Sequence, residues 1–166
     1  MPKAAPPFDI KSALVSALAT NNRITCYLVE NIAPEAWPAK PPEGKGRTIA
    51  AITVHIHNVR RMWLKAAGSD SVPAKLAESA TSKETLQALH TSQKALAELL
   101  AASLETGQVK GFKPDAAGFL GYLISHEAHH RGQICSLARR LGHPISQSAM
   151  FGMWEWGSRA KEIQVV

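Results

Sequence analysis

The chain has 166 residues, of which 45% are hydrophobic and 19% are charged. This length fits one domain, and the hydrophobic content excludes a largely disordered chain. The formal net charge of +6 can attract acidic partners but does not distinguish one fold from another. We therefore expect residues 1–166 to form a single domain, with residues 1–8 as an N-terminal tail.

Secretion and membrane insertion are not indicated by the sequence. The opening stretch MPKAAPPFDI lacks the apolar segment of a signal peptide, and no apolar run approaches the roughly 18 residues of a membrane span. The two cysteines, Cys26 and Cys135, lie far apart in predicted helices and do not indicate a disulfide framework. We expect a cytoplasmic protein with reduced thiols and no membrane partner.

Apolar residues at three- and four-residue spacing predict four long amphipathic helices. The first runs from Ile10 to about Ile32, with Asp9 as its N-cap. The stretch PEAWPAKPPEGKGR follows, and its prolines and glycines predict a loop. The second helix runs from about Thr48 to Ala66 and ends before GSDSVP. Its apolar stripe consists of Ile49, Ile52, Ile56, Val59 and Trp63.

The third and fourth helices have recognisable end signals. The third begins at a capping box made by Thr81 and Glu84 and ends before GQVKGFKP. In the fourth, Pro114 suits the first helical position and Asp115 the first turn. This helix runs to about residue 141, where Gly142 ends it.

The segment AMFGMWEWGSRAKEI predicts a short fifth helix that packs on the bundle through its aromatic residues. Trp154 and Trp156 are two positions apart and do not share a helix face. One of them could then pack on the core and the other at a partner or a pocket rim, but we favour a tail that is simply clamped to the bundle. Four long helices without strand-like alternation predict an all-α four-helix bundle with a short C-terminal helix.

The stretch HEAHHRGQIC at 126–135 places three histidines on the fourth helix. On a helical wheel, His126 and His130 fall within the core-facing stripe, whereas His129 lies roughly 80–90° to one side. Imidazoles four residues apart can bind one metal ion. The pair of His126 and His129 also lies on adjacent turns and stays an alternative. Hydrogen-bonded core histidines are the other alternative, but two buried imidazolium ions would repel each other.

The second helix can supply a third ligand. His55 lies on the flank of its apolar stripe and can face the bundle interior, whereas His57 lies more than roughly 100° away and is expected to face solvent. His90 and His143 are expected at the surface or in a loop. Three imidazoles without a carboxylate describe an open site of the catalytic kind, and they suit Zn²⁺, Ni²⁺, Fe²⁺ or Cu²⁺ without choosing among them.

The same stretch satisfies the HExxH pattern of zinc proteases literally, with His126 and His130 as ligands and Glu127 as the base. An all-helical bundle of this size offers no substrate cleft along a strand edge. We therefore rank a protease well below another kind of metal site.

Taken together, HEAHHRGQI and TVHIHNVRRMWL resemble the DinB/YfiT-like superfamily of metal-dependent enzymes. The signature HxxxHRGQ of its fourth helix is met from His126 to Gln133, and a histidine eight residues before a tryptophan is met by His55 and Trp63. The resemblance covers nearly the whole chain. It implies a four-helix bundle whose connectivity is not simply up-and-down, often as a homodimer.

The resemblance also implies a divalent ion, commonly nickel or zinc with iron as a further candidate, on His55, His126 and His130. Characterised relatives include transferases and isomerases that use low-molecular-weight thiols such as bacillithiol or mycothiol. Many relatives carry a glutamate five residues after the ligand of the second helix. This chain has Arg60 there, which puts a role for that carboxylate in doubt.

These observations predict a metal-dependent enzyme, similar to a thiol S-transferase or a hydrolase, that acts on a small molecule. His129, Arg131 and Gln133 are candidates for side chains that support the ligands, and contacts at the bundle surface or in helix packing are an equal alternative for them. The alternative is a metal-binding stress-response protein without turnover. A nucleic-acid partner is not expected, because the basic residues resemble solvated helix faces and no base-reading motif accompanies them. These residues are Arg60, Arg61, Lys65, Arg139 and Arg140.

Overall fold

The computed structural model describes residues 7–163, which form six helices and no strand beyond one isolated bridge. The helices are α1 (Ile10–Glu30), α2 (Ile49–Ala67), α3 (Ser82–Thr106), α4 (Ala116–Arg140), α5 (Gln147–Gly152) and α6 (Trp156–Ile163). The four long helices are confirmed, and two short helices stand where one was expected. Most of the predicted N-terminal tail lies outside the described residues. Within 7–163, no helix has the length and hydropathy needed to cross a membrane.

Side-chain caps fix the starts of the helices. The Asp9 carboxylate accepts a hydrogen bond from the backbone N–H of Lys11, and both bonds of the Thr81–Glu84 capping box are present. Asp115 is the N-cap of α4 rather than part of its first turn, because its carboxylate accepts the otherwise unpaired N–H of Gly118 at 2.7 Å. Pro114 therefore precedes the helix, which corrects the predicted start.

The connectivity differs from a simple up-and-down bundle. Helices α1 and α2 follow each other in the chain, yet they do not pack mainly against each other: α1 packs against α3, α6 and α4, and α2 packs against α3 and α4. The connection 31–48 therefore crosses the bundle to bring α2 beside α4. This arrangement brings together the two helices that carry the predicted metal ligands.

The core contains two large apolar clusters with a polar layer between them, and a third, small apolar cluster. Phe119 and Leu123 of α4 belong to one large cluster, and Ile134 and Leu137 belong to the other. Between them, fully or almost fully buried polar side chains converge from all four long helices: Asn21, Asn22, Arg60, Ser92 and Glu127. The interpretation of Arg60 as a solvated residue is therefore wrong, since its side chain is 0% exposed.

The connection 68–81 covers a face of α2 that the helical wheel assigns to solvent. His57 is 1% exposed, and its ring nitrogens lie 3.0 Å from the carbonyl oxygen of Ala74 and 3.1 Å from that of Ala88. Beside it, the side chain of Asn58 exchanges two hydrogen bonds with the backbone of Leu76. The prediction that His57 faces solvent is wrong, because this connection lies over it.

The C-terminal helices do not pack through their aromatic residues. Trp154 is 78% exposed and Trp156 is 40% exposed, so neither lies on the core. Apolar packing of Met153 and polar contacts hold this segment instead. The guanidinium of Arg159 lies 4.0 Å from the ring centroid of Tyr27, and Arg23 of α1 pairs with Glu162. The predicted aromatic packing of the tail is therefore wrong, whereas the favoured interpretation, a tail clamped to the bundle, is confirmed.

Candidate metal centre

Three histidines from two helices converge at the interface of α2 and α4. One ring nitrogen from each of His55, His126 and His130 lies within 4.8 Å of the others. The Nε2 atoms of His126 and His130 are 3.1 Å apart. We call these three residues the histidine cluster. His129 is exposed and lies outside it, so the donor set on α4 consists of the residues four apart.

The local fold explains this convergence. His126 and His130 lie one turn apart on the face of α4 that packs toward α2. His130 is buried, whereas His55 and His126 are half-buried, so the cluster opens to one side. The ring of Tyr122, one turn earlier on α4, stacks on His126 at 5.8 Å between centroids.

Burial and mutual repulsion keep the cluster uncharged at neutral pH. Burial lowers the pKa of all three histidines, and the neighbouring imidazoles lower that of His126 further, to about 4. The positive charge of Arg47 adds to the lowering of the pKa of His55 and His130. The three neutral imidazoles therefore have lone pairs available for a metal ion.

Gln133 fixes the orientation of one ligand candidate. Its Oε1 accepts a hydrogen bond from Nδ1 of His130 at 2.8 Å, and its Nε2 donates to Nε2 of His129 at 2.9 Å. With its proton on Nδ1, His130 presents the lone pair of Nε2 to the cluster. Of the three predicted supporting residues, Gln133 hydrogen-bonds to the cluster directly. His129 is linked to it through Gln133 and through an edge-to-face contact of its ring with that of His130, at 5.2 Å between centroids.

Arg131 has a different surrounding. It is half-buried and donates a hydrogen bond from Nη1 to the hydroxyl of Thr25 on α1, at 2.9 Å. The same hydroxyl lies 3.2 Å from the Glu127 carboxylate. Arg131 therefore belongs to the buried polar layer and makes no hydrogen bond to the histidine cluster within the described residues.

Glu127, the base of the HExxH pattern, is 0% exposed and bound to a cation. Arg60 donates to both of its oxygens, from Nε at 2.7 Å and from Nη2 at 2.8 Å, and Asn21 donates to Oε2 at 2.8 Å. Burial alone would raise the pKa of Glu127, but the charge and hydrogen bonds of Arg60 more than offset this and lower it. Since both oxygens are engaged in the core, the structure argues against a protease that uses Glu127 as its base.

A cavity of about 740 Å³ lies beside the cluster, between the connection 31–48 and α4. His130 and Gln133 form part of its wall, together with Lys45, Arg47 and Arg140. This cavity was not predicted from the sequence. The feature that could have indicated it is the stretch GKGR within the proline-rich loop, where two basic residues alternate with glycines.

Comparison with known proteins agrees with the geometry. The model of a family described as the DinB family matches residues 8–156. No curated protein and no solved structure matches the chain.

Proposed function

We propose that this chain, which belongs to the DinB family, holds a divalent transition-metal ion on His55, His126 and His130 and acts with it on a small molecule. The observation that supports this proposal is the convergence of three neutral imidazoles, with donor atoms within 4.8 Å of one another. Metal–nitrogen bonds of about 2.0–2.1 Å place neighbouring donor atoms about 3–3.5 Å apart. The 3.1 Å between two of the Nε2 atoms fits this requirement.

The donor set favours particular ions. Three imidazoles suit zinc or nickel, with iron as a further candidate, and they leave room for water or substrate among the ligands. When bound, such an ion supplies Lewis-acid chemistry, which lowers the pKa of a coordinated thiol or water. Gln133 supports this role by holding His130 with Nε2 toward the cluster.

The reaction that we propose is the transfer or activation of an external thiol. Burial raises the pKa of Cys26 to about 11 and also raises that of Cys135, so both thiols of the chain are poor nucleophiles. A thiol-dependent reaction at this site would take its thiol from a low-molecular-weight cosubstrate. The cavity beside His130 has the volume of a small-molecule site. A hydrolase, in which water rather than a thiol is the nucleophile, is the second form of this proposal.

Removing any ligand is expected to remove the ion. Protein purified without added metal should contain about one ion per chain by elemental analysis, and His55→Ala, His126→Ala and His130→Ala should each lose it, because two imidazoles retain such an ion poorly. His129→Ala is the matched control, since this histidine lies next to the cluster but outside it. Stoichiometric metal in His126→Ala would show that the assignment is wrong.

Gln133→Leu is expected to weaken metal binding by about 10–100-fold while leaving the three imidazoles in place, because His130 loses the partner that sets its tautomer. Competition with a chromophoric chelator measures this affinity. Gln133→Glu keeps an acceptor for Nδ1 of His130 and should retain most of the affinity. Equal affinities for wild type and the leucine variant would contradict the role given to Gln133.

An assay of turnover distinguishes a metal-dependent enzyme from a protein that only binds metal. We expect the metal-loaded protein to consume a low-molecular-weight thiol in the presence of one or more members of an electrophile panel. Stoichiometric metal with no turnover of thiol or of hydrolysable substrates would favour a metal-binding stress-response protein. The homodimer implied by the resemblance stays a prediction, which light scattering can test.

A further inference from the structure

We infer that the molecule on which this site acts carries an anionic group, a carboxylate or a phosphate, and that Lys45 and Arg47 bind this group in the cavity beside His130. The inference rests on the proposed function and specifies its substrate class. Three cationic side chains line the cavity, and none of its lining residues is acidic. Such a cavity favours anions over cations and neutral molecules of the same size.

The three cations are not equivalent. Arg140 forms an ion pair with Glu43 at the surface, so part of its charge is already compensated. Within residues 7–163, neither Lys45 nor Arg47 takes part in an ion pair or a side-chain hydrogen bond. These two side chains therefore have donors available for a ligand. An arginine guanidinium binds carboxylate or phosphate through two parallel hydrogen bonds.

Arg47 is also linked to the histidine cluster. It lines the same cavity as His130, and its charge contributes to the lowered pKa of both His55 and His130. An anion bound at Arg47 would therefore hold the rest of its molecule against the open side of the cluster. This position is the one that a substrate needs.

The backbone around the two cations is anchored at both ends. On one side, Pro41 is buried and its carbonyl accepts the N–H of Gly44 at 2.9 Å. On the other side, Arg47 directly precedes Thr48, whose hydroxyl caps the N-terminus of α2. A loop held in this way loses little conformational freedom when it binds a ligand.

The cavity also has apolar wall residues, Ile52 of α2 and Leu137 of α4. It therefore fits a molecule with an anionic group and a less polar remainder. Hydrogen-bonding groups are present as well, from His129 and Ser136. This mixture is typical of small-molecule sites, where a few polar groups set the orientation.

The test uses metal-free protein and two probes, inorganic phosphate and succinate, titrated by NMR with the backbone amides as reporters. We expect saturable shifts around residues 45–47 and His130, and a loss of affinity of about tenfold or more in the double variant Lys45→Gln and Arg47→Gln. The matched control removes two other exposed charges, Lys94→Gln and Arg139→Gln, and should bind both probes as wild type does. The tighter probe shows whether the group is a phosphate or a carboxylate.

Several results would overturn the inference. Absence of saturable binding of both anions would do so. An equal loss of anion affinity in the control variant would also do so, because it would indicate unspecific attraction to a basic protein. Binding that requires added zinc would place the anion on the metal rather than on Arg47. Repeating the titration with His126→Ala separates this inference from the proposed function. We expect this variant to lose the metal and still to bind the anions. A wild-type protein that binds metal but neither anion would overturn this inference and leave the proposed function intact.

Discussion

Glu127→Gln is expected to lower the free energy of unfolding by about 3–5 kcal/mol, because it leaves the guanidinium of Arg60 without its counter-charge in the core. Both side chains are 0% exposed, and two direct hydrogen bonds of 2.7 and 2.8 Å join them. Glutamine matches glutamate in size, so the loss arises from the missing charge rather than from a cavity. Urea denaturation followed by circular dichroism measures it.

A double variant shows how much of this loss comes from the interaction between the two charges. Replacing the pair with apolar residues, Arg60→Met and Glu127→Leu, removes both charges together and should cost much less than the sum of the single replacements. Some cost is expected to remain, because Asn21 and Asn22 lose partners in the same layer. Losses that simply add would show that the two charges do not stabilise each other.

An exposed ion pair provides the comparison. Lys11 and Glu105 join α1 and α3 at the surface. Glu105→Gln should leave the free energy of unfolding nearly unchanged, because water and salt screen exposed charges. A large loss in this variant would mean that charge removal as such, rather than burial, accounts for the effect at Glu127.

The buried pair also bears on the candidate metal centre. Arg60 lies five residues after His55 on α2, and Glu127 directly follows His126 on α4. Their hydrogen bonds join the two helices close to the point where the imidazoles meet. A shift of α4 along α2 would have to break this pair as well as separate the histidines. Arg60 therefore has a clear structural partner in this chain.

The four long helices and the pair of His126 and His130 were predictable because both follow from periodicity within single helices. The connectivity that brings α2 beside α4 was expected from the family resemblance alone. His126 and His130 share a face whatever the rest of the chain does. His55 lies on the flank of a well-defined apolar stripe, which left it free to face α4. Metal ligation, a homodimer and a cytoplasmic location stay predictions, since the histidine cluster shows only that the donors are in place.

Arg60 was misplaced because its surroundings depend on a residue 67 positions away. A charged residue is almost never fully buried unless it is paired, and a helical wheel does not show which residue pairs with it. The prediction that the tail packs through its aromatic residues was wrong for another reason. Trp154 and Trp156 were expected to pack because they are aromatic, but soluble proteins also expose apolar side chains, and the contacts of Arg159 position this segment.

His57 shows the limit of the wheel most clearly. The wheel placed it away from the bundle, and that direction is occupied by the connection 68–81. A connection without periodicity gives no indication of the helix face that it covers. Two further side chains of α2 also bind this connection. Asn58 hydrogen-bonds to the backbone of Leu76, and Arg61 donates to the carbonyl of Pro73. These side chains together make one face of α2 an anchor for the connection.

His57→Ala is therefore expected to lower the free energy of unfolding by about 2–4 kcal/mol. Burial lowers the pKa of His57, although hydrogen bonds to Ala74 and Ala88 oppose this, so the ring is neutral at neutral pH and donates to one of the two carbonyls. The variant loses that hydrogen bond and leaves a cavity under the connection. Urea denaturation measures the loss, and the exposed His90→Ala should leave stability nearly unchanged.

Metal content makes the same variant informative about the cluster. His57 lies two residues from His55, yet its ring nitrogens face backbone carbonyls rather than the other histidines. His57→Ala should therefore retain the full complement of metal at temperatures where it is folded, whereas His55→Ala should lose the ion with a smaller effect on the stability of the metal-free protein. Loss of metal from His57→Ala while the protein remains folded would mean that the two histidines of α2 have been assigned the wrong way round.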